Sequence, residues 1–428
     1  MPELLLLPQG PVRDRAVLVS GGTFRAVGPA GQLIAAHRDL EPVRLDGHLL
    51  MPGFVDAHHH LTQSFGKAQS FGQPSEIFKT VWEPLEHALD EESAYVSAKL
   101  AALEALRGGF TTVADAGTRA PVDVAAIAKG TEEAGIRCVL SKIVSDGTGG
   151  PAPWHGGTAT PSSTLPGHRG PRGRPRRDPQ EDRRPVHRGR RRPPDPRQRA
   201  PRLRGTLVEE RRPAPRRIPP PHRRPGPAHP RRPRHPPHPT EMRLLADSGA
   251  AISYNPVASA WKGNGVAHAT MLAALGVRFG MGTDGTRGDG FRLIDAGETA
   301  QRLAYGLGSG DSVCGAGRMW LDHATTHSAD AVGLGKVTGE IAAGKAADYL
   351  VVDLDVPELT PSYDLRWELV RLANRDQIAA VVVAGRLRLW HGRPTDWDAQ
   401  ALVARAAKLG PQVVERAKLQ RVEPVYES

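Results

Sequence analysis

At 428 residues, 39% of them apolar and two of them cysteine (Cys138 and Cys314), the chain has the length for one large domain with a smaller companion and no basis for a disulfide framework. No apolar run approaches a membrane span, and Met1 to Leu7 lacks the basic leader and long apolar core of a signal peptide, so a cytoplasmic protein with no membrane partner is expected. The net charge of +11 is concentrated in one place: residues 151–240 hold 24 arginines, no lysine and six acidic residues, which makes that window +18 and leaves the rest at −7.

In chain order, residues 3–50 read as short strands and turns, with strands at 16–19, 25–27 and 43–45, a small β unit that stops at Pro52. From Gly53 the pattern turns to strand and helix in alternation. The strands fall at 54–56, 111–115 and 137–144, with amphipathic helices at 91–106 and 122–134 between them. This is the rhythm of a parallel α/β barrel. It stops after Trp154 and returns beyond Thr240, with helix 241–247, strand 251–254, helix 269–275 and strand 278–282. Helices follow to about Leu334, then strands within 339–353 and 378–389, and a closing helix over 398–409.

The run MPGFVDAHHHL (51–61) contains His58-x-His60. Met51 to Val55 supplies a strand, and Asp56 with the histidines marks where it opens into a polar mouth. Alternate residues on a strand face the same way, so two imidazoles two apart converge on one ion, at the strand end where parallel barrels keep their chemistry. Taken alone, a histidine triplet is equally a solvated turn or a metal-sticky surface. Asp284, in GMGTDGT (280–286), has a plain reading as a turn aspartate before Gly285, but the GTDG context after an apolar strand favours a ligand. Asp115 ends its strand as a cap or a support behind the site, and His48 and His59 are taken as structural.

Four motifs occur in one order at barrel-like spacing: MPGFVDAHHHL, ALRGGFTTVADAGT (105–118), GMGTDGT and GEIAAGKAADYLVVD (339–353). Together they resemble the amidohydrolase superfamily, in particular its branch of guanine, adenosine-derivative and triazine aminohydrolases and chlorohydrolases. VWEPLEHALDEE (81–92) and SYNPVASAWKGNG (253–265) are similar to that branch as well. The resemblance covers roughly 1–154 and 240–410. It implies an α/β fold: a (β/α)8 TIM-type barrel over 53–336, a β-sandwich built from 1–52 and 337–396, and a C-terminal helix and tail over 397–428. It also implies one divalent metal ion, Zn or Fe, held by His58, His60, a strand-five histidine, a strand-six histidine and Asp284.

Neutral imidazoles hold such an ion without cancelling its charge, so that it lowers the pKa of a bound water toward neutrality. Asp284 would then accept that water's proton, and the glutamate of a strand-five His-x-x-Glu would protonate the departing amine. Lys142 is a formal candidate for a carboxylated lysine bridging two metals, although the family's bridging lysine comes from the next strand. Trp82, Ser259, Trp261 and Arg287 are candidates to line a pocket for a planar ring, and equally or more so for core packing or solvated loop roles.

Residues 151–239 lie where strands four to six should be, and no barrel strand can be read there. The window to Thr240 holds 24 of the 39 prolines and no Phe or Tyr, a composition that denies a core. One reading is an Arg/Pro-rich insert that binds nucleic acid. The other is translation from the wrong frame of a GC-rich gene. Read one base later, the codons of 201–205 accommodate His-Ala-Ser-Glu, the missing His-x-x-Glu. Those of 230–239 accommodate Leu-Ala-Ala-His-Ala-Thr-His-Leu-Thr, with a strand-six histidine. Composition favours the frame reading. His229 or His235 would substitute only in an ordered segment.

The expected activity is hydrolysis of non-peptide C–N bonds, foremost deamination of an aminated nitrogen heterocycle, with a small molecule as the partner. The alternatives are an amide or cyclic-amide hydrolase on the same scaffold, or an inactive or nucleic-acid-binding protein. Nothing in the sequence sets the oligomeric state, and a homo-oligomer is compatible with it.

Overall fold

The structure is a computed structural model that describes residues 1–73, 77–141, 143, 239–311 and 313–421. The Arg/Pro-rich stretch up to residue 238, with His229 and His235, lies outside the described residues, as does Lys142.

Fourteen strands are present among the described residues: β1 (Pro2–Leu7), β2 (Gly10–Val12), β3 (Arg15–Ser20), β4 (Thr23–Pro29), β5 (Leu45–Pro52), β6 (Phe54–His59), β7 (Phe110–Asp115), β8 (Arg137–Val139), β9 (Ala251–Tyr254), β10 (Arg278–Met281), β11 (Tyr349–Asp353), β12 (Ile378–Val383), β13 (Arg386–Trp390) and β14 (Arg393–Pro394). Seven of them make one sheet in the order β14-β13-β12-β11-β5-β1-β2. Strands from the two ends of the chain are neighbours in it: β11 runs antiparallel to β5, with Val351 opposite Leu50. The β3–β4 hairpin packs Val17, Val19, Phe24 and Val27 against Leu5 and Leu50. Residues 339–348, expected to begin a strand, instead cover the hairpin through bonds such as Phe24 N–H to Lys345 O (2.9 Å), and only Tyr349–Asp353 is extended.

Sequence reading joins Met51 to Val55 into one strand, but the structure divides it. Pro52 ends β5, paired with Tyr349, and Phe54 begins β6, paired with Phe110. Gly53 makes the break possible, since a Cβ there would lie 2.2 Å from Thr111 Cγ2. β6 also runs further than expected, to His59, while β8 is shorter than the expected 137–144.

β6, β7 and β8 form a parallel three-stranded sheet, and β9 and β10 a parallel pair. The carboxyl ends of β10 and β6 meet where Asp284 N–H donates to His58 O at 2.8 Å. The five strands therefore follow one another as β9-β10-β6-β7-β8. Phe54, Phe110 and Phe291, all fully buried, fill the amino end of this arc, with Phe54 edge-on to Phe291 at 5.1 Å.

The helix Glu91–Arg107 covers the arc. Asp90 and Ser93 form a capping box at its start, and small buried residues (Ala94, Ala98, Ala101, Ala105) allow close packing. The C-terminal helix runs over Ala399–Ala417, well past the expected end near Leu409. Pro411 costs it a backbone bond, but Val413 and Ala417 are buried against the cluster of Val81, Trp82 and Leu85, and that burial carries the helix through.

Candidate metal centre and active site

β6 delivers His58, and His60 follows just past the strand's last residue. β10 ends at Met281, and the next turn carries Asp284 at φ 55 and Gly285 at φ 66, a left-handed pair that aims the aspartate back at the histidines. A Cβ on Gly285 would approach His60 N and O at 3.2 Å, so this turn also needs a residue without a side chain. Asp284 Oδ1 lies 3.2 Å from His58 Nε2 and 3.0 Å from His60 Nε2. The two imidazoles are perpendicular with centroids 5.0 Å apart. All three side chains are buried, and their donor atoms lie within 4.8 Å of one another. Sequence reading named these three residues, and the structure brings them together.

His58 Nε2 is buried and completes no hydrogen bond in good geometry, although it faces Asp284. An orphaned imidazole nitrogen beside a second imidazole and a carboxylate oxygen is the donor set that suits a divalent ion of zinc or iron type. Burial alone would raise the Asp284 carboxyl. Its contacts with His58 and His60, and the charge of His60 and Lys262, outweigh burial together and hold it well below the usual carboxylate range.

His59 and Asp56 stand behind this cluster. Asp56 is wholly buried: its Oδ1 accepts from His58 N–H (3.2 Å) and Thr283 N–H (3.0 Å), and its Oδ2 accepts from Thr283 Oγ1 (2.5 Å) and lies 2.9 Å from His59 Nδ1. His59 is thus structural, as expected, whereas Asp56 joins β6 to the turn after β10 and does not line a polar mouth. Asp115 accepts from the segments just past β6 and β7, at Leu61 N–H (3.1 Å) and Gly117 N–H (3.2 Å), and burial raises its carboxyl.

A cavity of about 340 Å³ opens on His60 and Asp284. Trp82 and Trp261 line it as expected, with Phe71 set edge-on to Trp261 at 5.1 Å. Ser259 and Arg287 do not line it: Ser259 lies within the helix Pro256–Lys262, and Arg287 turns to Asp289 at 3.4 Å.

Sequence reading missed two residues. Lys262 Nζ lies 2.6 Å from Asp284 Oδ2 and borders the cavity. Its signal was its place as the last helical residue before Gly263, in a motif that had already been singled out. Glu86 is a buried carboxylate that accepts from Gln63 Nε2 (2.9 Å) and from Arg119 N–H and Nη1 (3.0 and 3.1 Å). Nothing in its heptad of mixed residues distinguishes it from a helix-face glutamate.

The sequence profile of the amidohydrolase family matches residues 49–190 and 232–388. This chain belongs to the amidohydrolase family. Within the family, it is similar to the 5-methylthioadenosine/S-adenosylhomocysteine deaminase of Moorella thermoacetica, 26% identical over 432 residues that cover 93% of this chain and 95% of that protein. A 5'-deoxyadenosine deaminase of Methanosarcina mazei is 28% identical over 177 residues, 41% of this chain and 40% of that one. Among solved structures, the fold is similar to an adenosine deaminase from Xanthomonas campestris with bound zinc (TM-score 0.69, 18% identity, 96% of this chain and 97% of that one). It is also similar to the atrazine chlorohydrolase of Arthrobacter aurescens complexed with zinc (TM-score 0.64, 17% identity, 96% and 100%). The amidohydrolase fold is therefore shared, and the family match skips 191–231, inside the Arg/Pro-rich stretch.

Proposed function

We propose that this amidohydrolase removes the amino group of an aminated nitrogen heterocycle by hydrolysis, with an adenosine-type ring as the substrate class. The observation that carries the reading is the convergence of His58, His60 and Asp284, the last two of which line an aromatic-walled cavity. The deaminase names of the curated relatives support the substrate class.

On this reading His58, His60 and Asp284 hold one zinc or iron ion. Bound there, the ion supplies Lewis acidity and a water made nucleophilic at neutral pH. Asp284 would also accept the water's proton on its carboxylate. The water oxygen bonds to the ring carbon, the proton taken from the water is passed to the amino nitrogen, and the C–N bond breaks to release ammonia and leave the hydroxylated ring. Trp82, Phe71 and Trp261 hold the planar ring, and their apolar faces keep bulk water from the reacting carbon. The arc β9-β10-β6-β7-β8 supplies five staves of an eight-stranded barrel, and the two chain ends form a second domain beside it. The His-x-x-Glu and the further histidine belong to strands five and six of the in-frame polypeptide. The break in the family match falls at 191–231, around the codons that accommodate His-Ala-Ser-Glu.

The test is to resequence the gene across codons 149–242, and to express both the literal chain and the frame-corrected one. The corrected chain should hold one equivalent of zinc or iron through dialysis and release ammonia from 5-methylthioadenosine or adenosine. His58→Ala and Asp284→Asn in that chain should each lower the rate by a factor of at least about 100. Full zinc retention and turnover by the literal chain would remove the need for the missing ligands.

A further inference from the structure

Lys262 ends the helix Pro256–Lys262, directly before Gly263. Its ammonium sits on one oxygen of Asp284, 2.6 Å from Oδ2, while the other oxygen faces both histidines. Asp284 thus carries a monovalent cation on the oxygen needed as proton acceptor, and two imidazoles on the oxygen that would face a divalent ion. The carboxylate is not free to swing away. Its backbone is fixed in the left-handed region, its N–H is bonded to His58 O, and the following glycine is wedged against His60. The lysine is the movable partner, since it has a flexible four-carbon stem and borders the cavity.

We propose that Lys262 is the resident counter-cation of the metal-free site: it neutralises Asp284 until a divalent ion binds, and that ion then drives it off Oδ2. This rests on the reading of His58, His60 and Asp284 as the ion's ligands. Charge fixes the sign of the effect. Without the ion, a buried carboxylate needs a full cation beside it, and the ammonium supplies one. With the ion, two cations share one carboxylate and repel, so each weakens the other's hold by the same factor. Lys262 therefore stabilises the metal-free protein and lowers its affinity for the ion. Its displacement frees the acceptor oxygen only when the ion is in place, which keeps the general base masked in the unloaded enzyme.

Zinc binding by equilibrium dialysis on the full chain tests this with neutral and charged replacements. Lys262→Met should bind zinc about tenfold more tightly than the parent. It should also melt at a lower temperature without metal and at the parent's temperature with zinc. Lys262→Arg, which keeps the charge, should bind within about twofold of the parent. Lys262→Gln should share the sign of Lys262→Met, so a folding defect in one neutral variant still leaves a decisive measurement. Equal or weaker zinc binding by a neutral variant with unchanged near-ultraviolet circular dichroism overturns the proposal. His58→Ala and Asp284→Asn separate the two claims. If they leave zinc binding intact, the ligand reading itself has failed and the role of Lys262 falls with it. If they abolish binding while the neutral lysine variants leave it unchanged, only the role of Lys262 falls.

Discussion

His323 shows how a histidine outside the site differs from the pair within it. Its ring lies flat on Phe279 (centroids 3.7 Å, 8°), and its Nδ1 lies 3.0 Å from Phe279 O. Burial pushes its pKa down, the carbonyl contact raises it in part and His327 lowers it further, leaving it at about 4. The unfolded chain takes up this proton below about 6.5 and the folded chain only near 4, so the contribution is complete above 6.5 and is lost as pH falls between the two. At pH 4 the loss amounts to roughly 3 kcal/mol. Urea midpoints at pH 7 and pH 4.5 should therefore differ less for His323→Gln than for the parent. An unchanged difference would mean that the imidazole is protonated in the fold. The metal candidates were legible because spacing and strand direction are local properties. Asp56, Glu86 and Lys262 act through partners 22 to 227 positions away. No window of sequence contains both members of such a pair, so Asp56 read as the rim of a mouth although it is a buried bracket.

At the scale of elements, the sequence places most strands and helices, and its errors fall where tertiary contacts override local signals. The helix Glu91–Arg107 was legible from its periodicity, and its start is fixed by Asp90, whose side chain accepts from Ser93 N–H at 2.8 Å. Hydrogen bonds from Ser93 hold the Asp90 carboxyl below its ordinary range, and Arg416 adds to this. The cap's contribution is therefore present above the ordinary carboxylate pKa of about 4 and disappears as pH falls through the lower folded value. Asp90→Ala should cost about 1 kcal/mol at pH 7 by denaturant unfolding, and less at pH 3. A cost that does not change with pH would show that the carboxylate is not the capping group. The division at Gly53 and the extension past Pro411 were illegible for the opposite reason. Each is decided by what the segment meets: β11 beside Met51 in one case, the cluster around Trp82 in the other.

At the scale of the whole molecule, the architecture was legible from the order of the motifs, because alternation of strand and helix leaves few ways to build a parallel arc. The composite sheet was implied only by family resemblance, since no local signal says that β5 pairs with a strand 300 residues on. The described contacts also show how the first third of the chain is held to its last part. The β5–β11 ladder, the bond from Asp284 N–H to His58 O and the bonds of Thr283 to Asp56 all join residues before 142 to residues after 238. None of them uses the peptide chain in between. The described parts on either side of that interval therefore hold each other directly. Two polypeptides, residues 1–144 and 239–428, should associate when co-expressed, and copurification through a tag on one of them is the measurement. Failure of both fragments to copurify would show that the interval contributes more than proximity. If they do associate, each half carries in its own strands and turns the means of finding the other, and the peptide link between them is not what brings the histidines and the aspartate to one place.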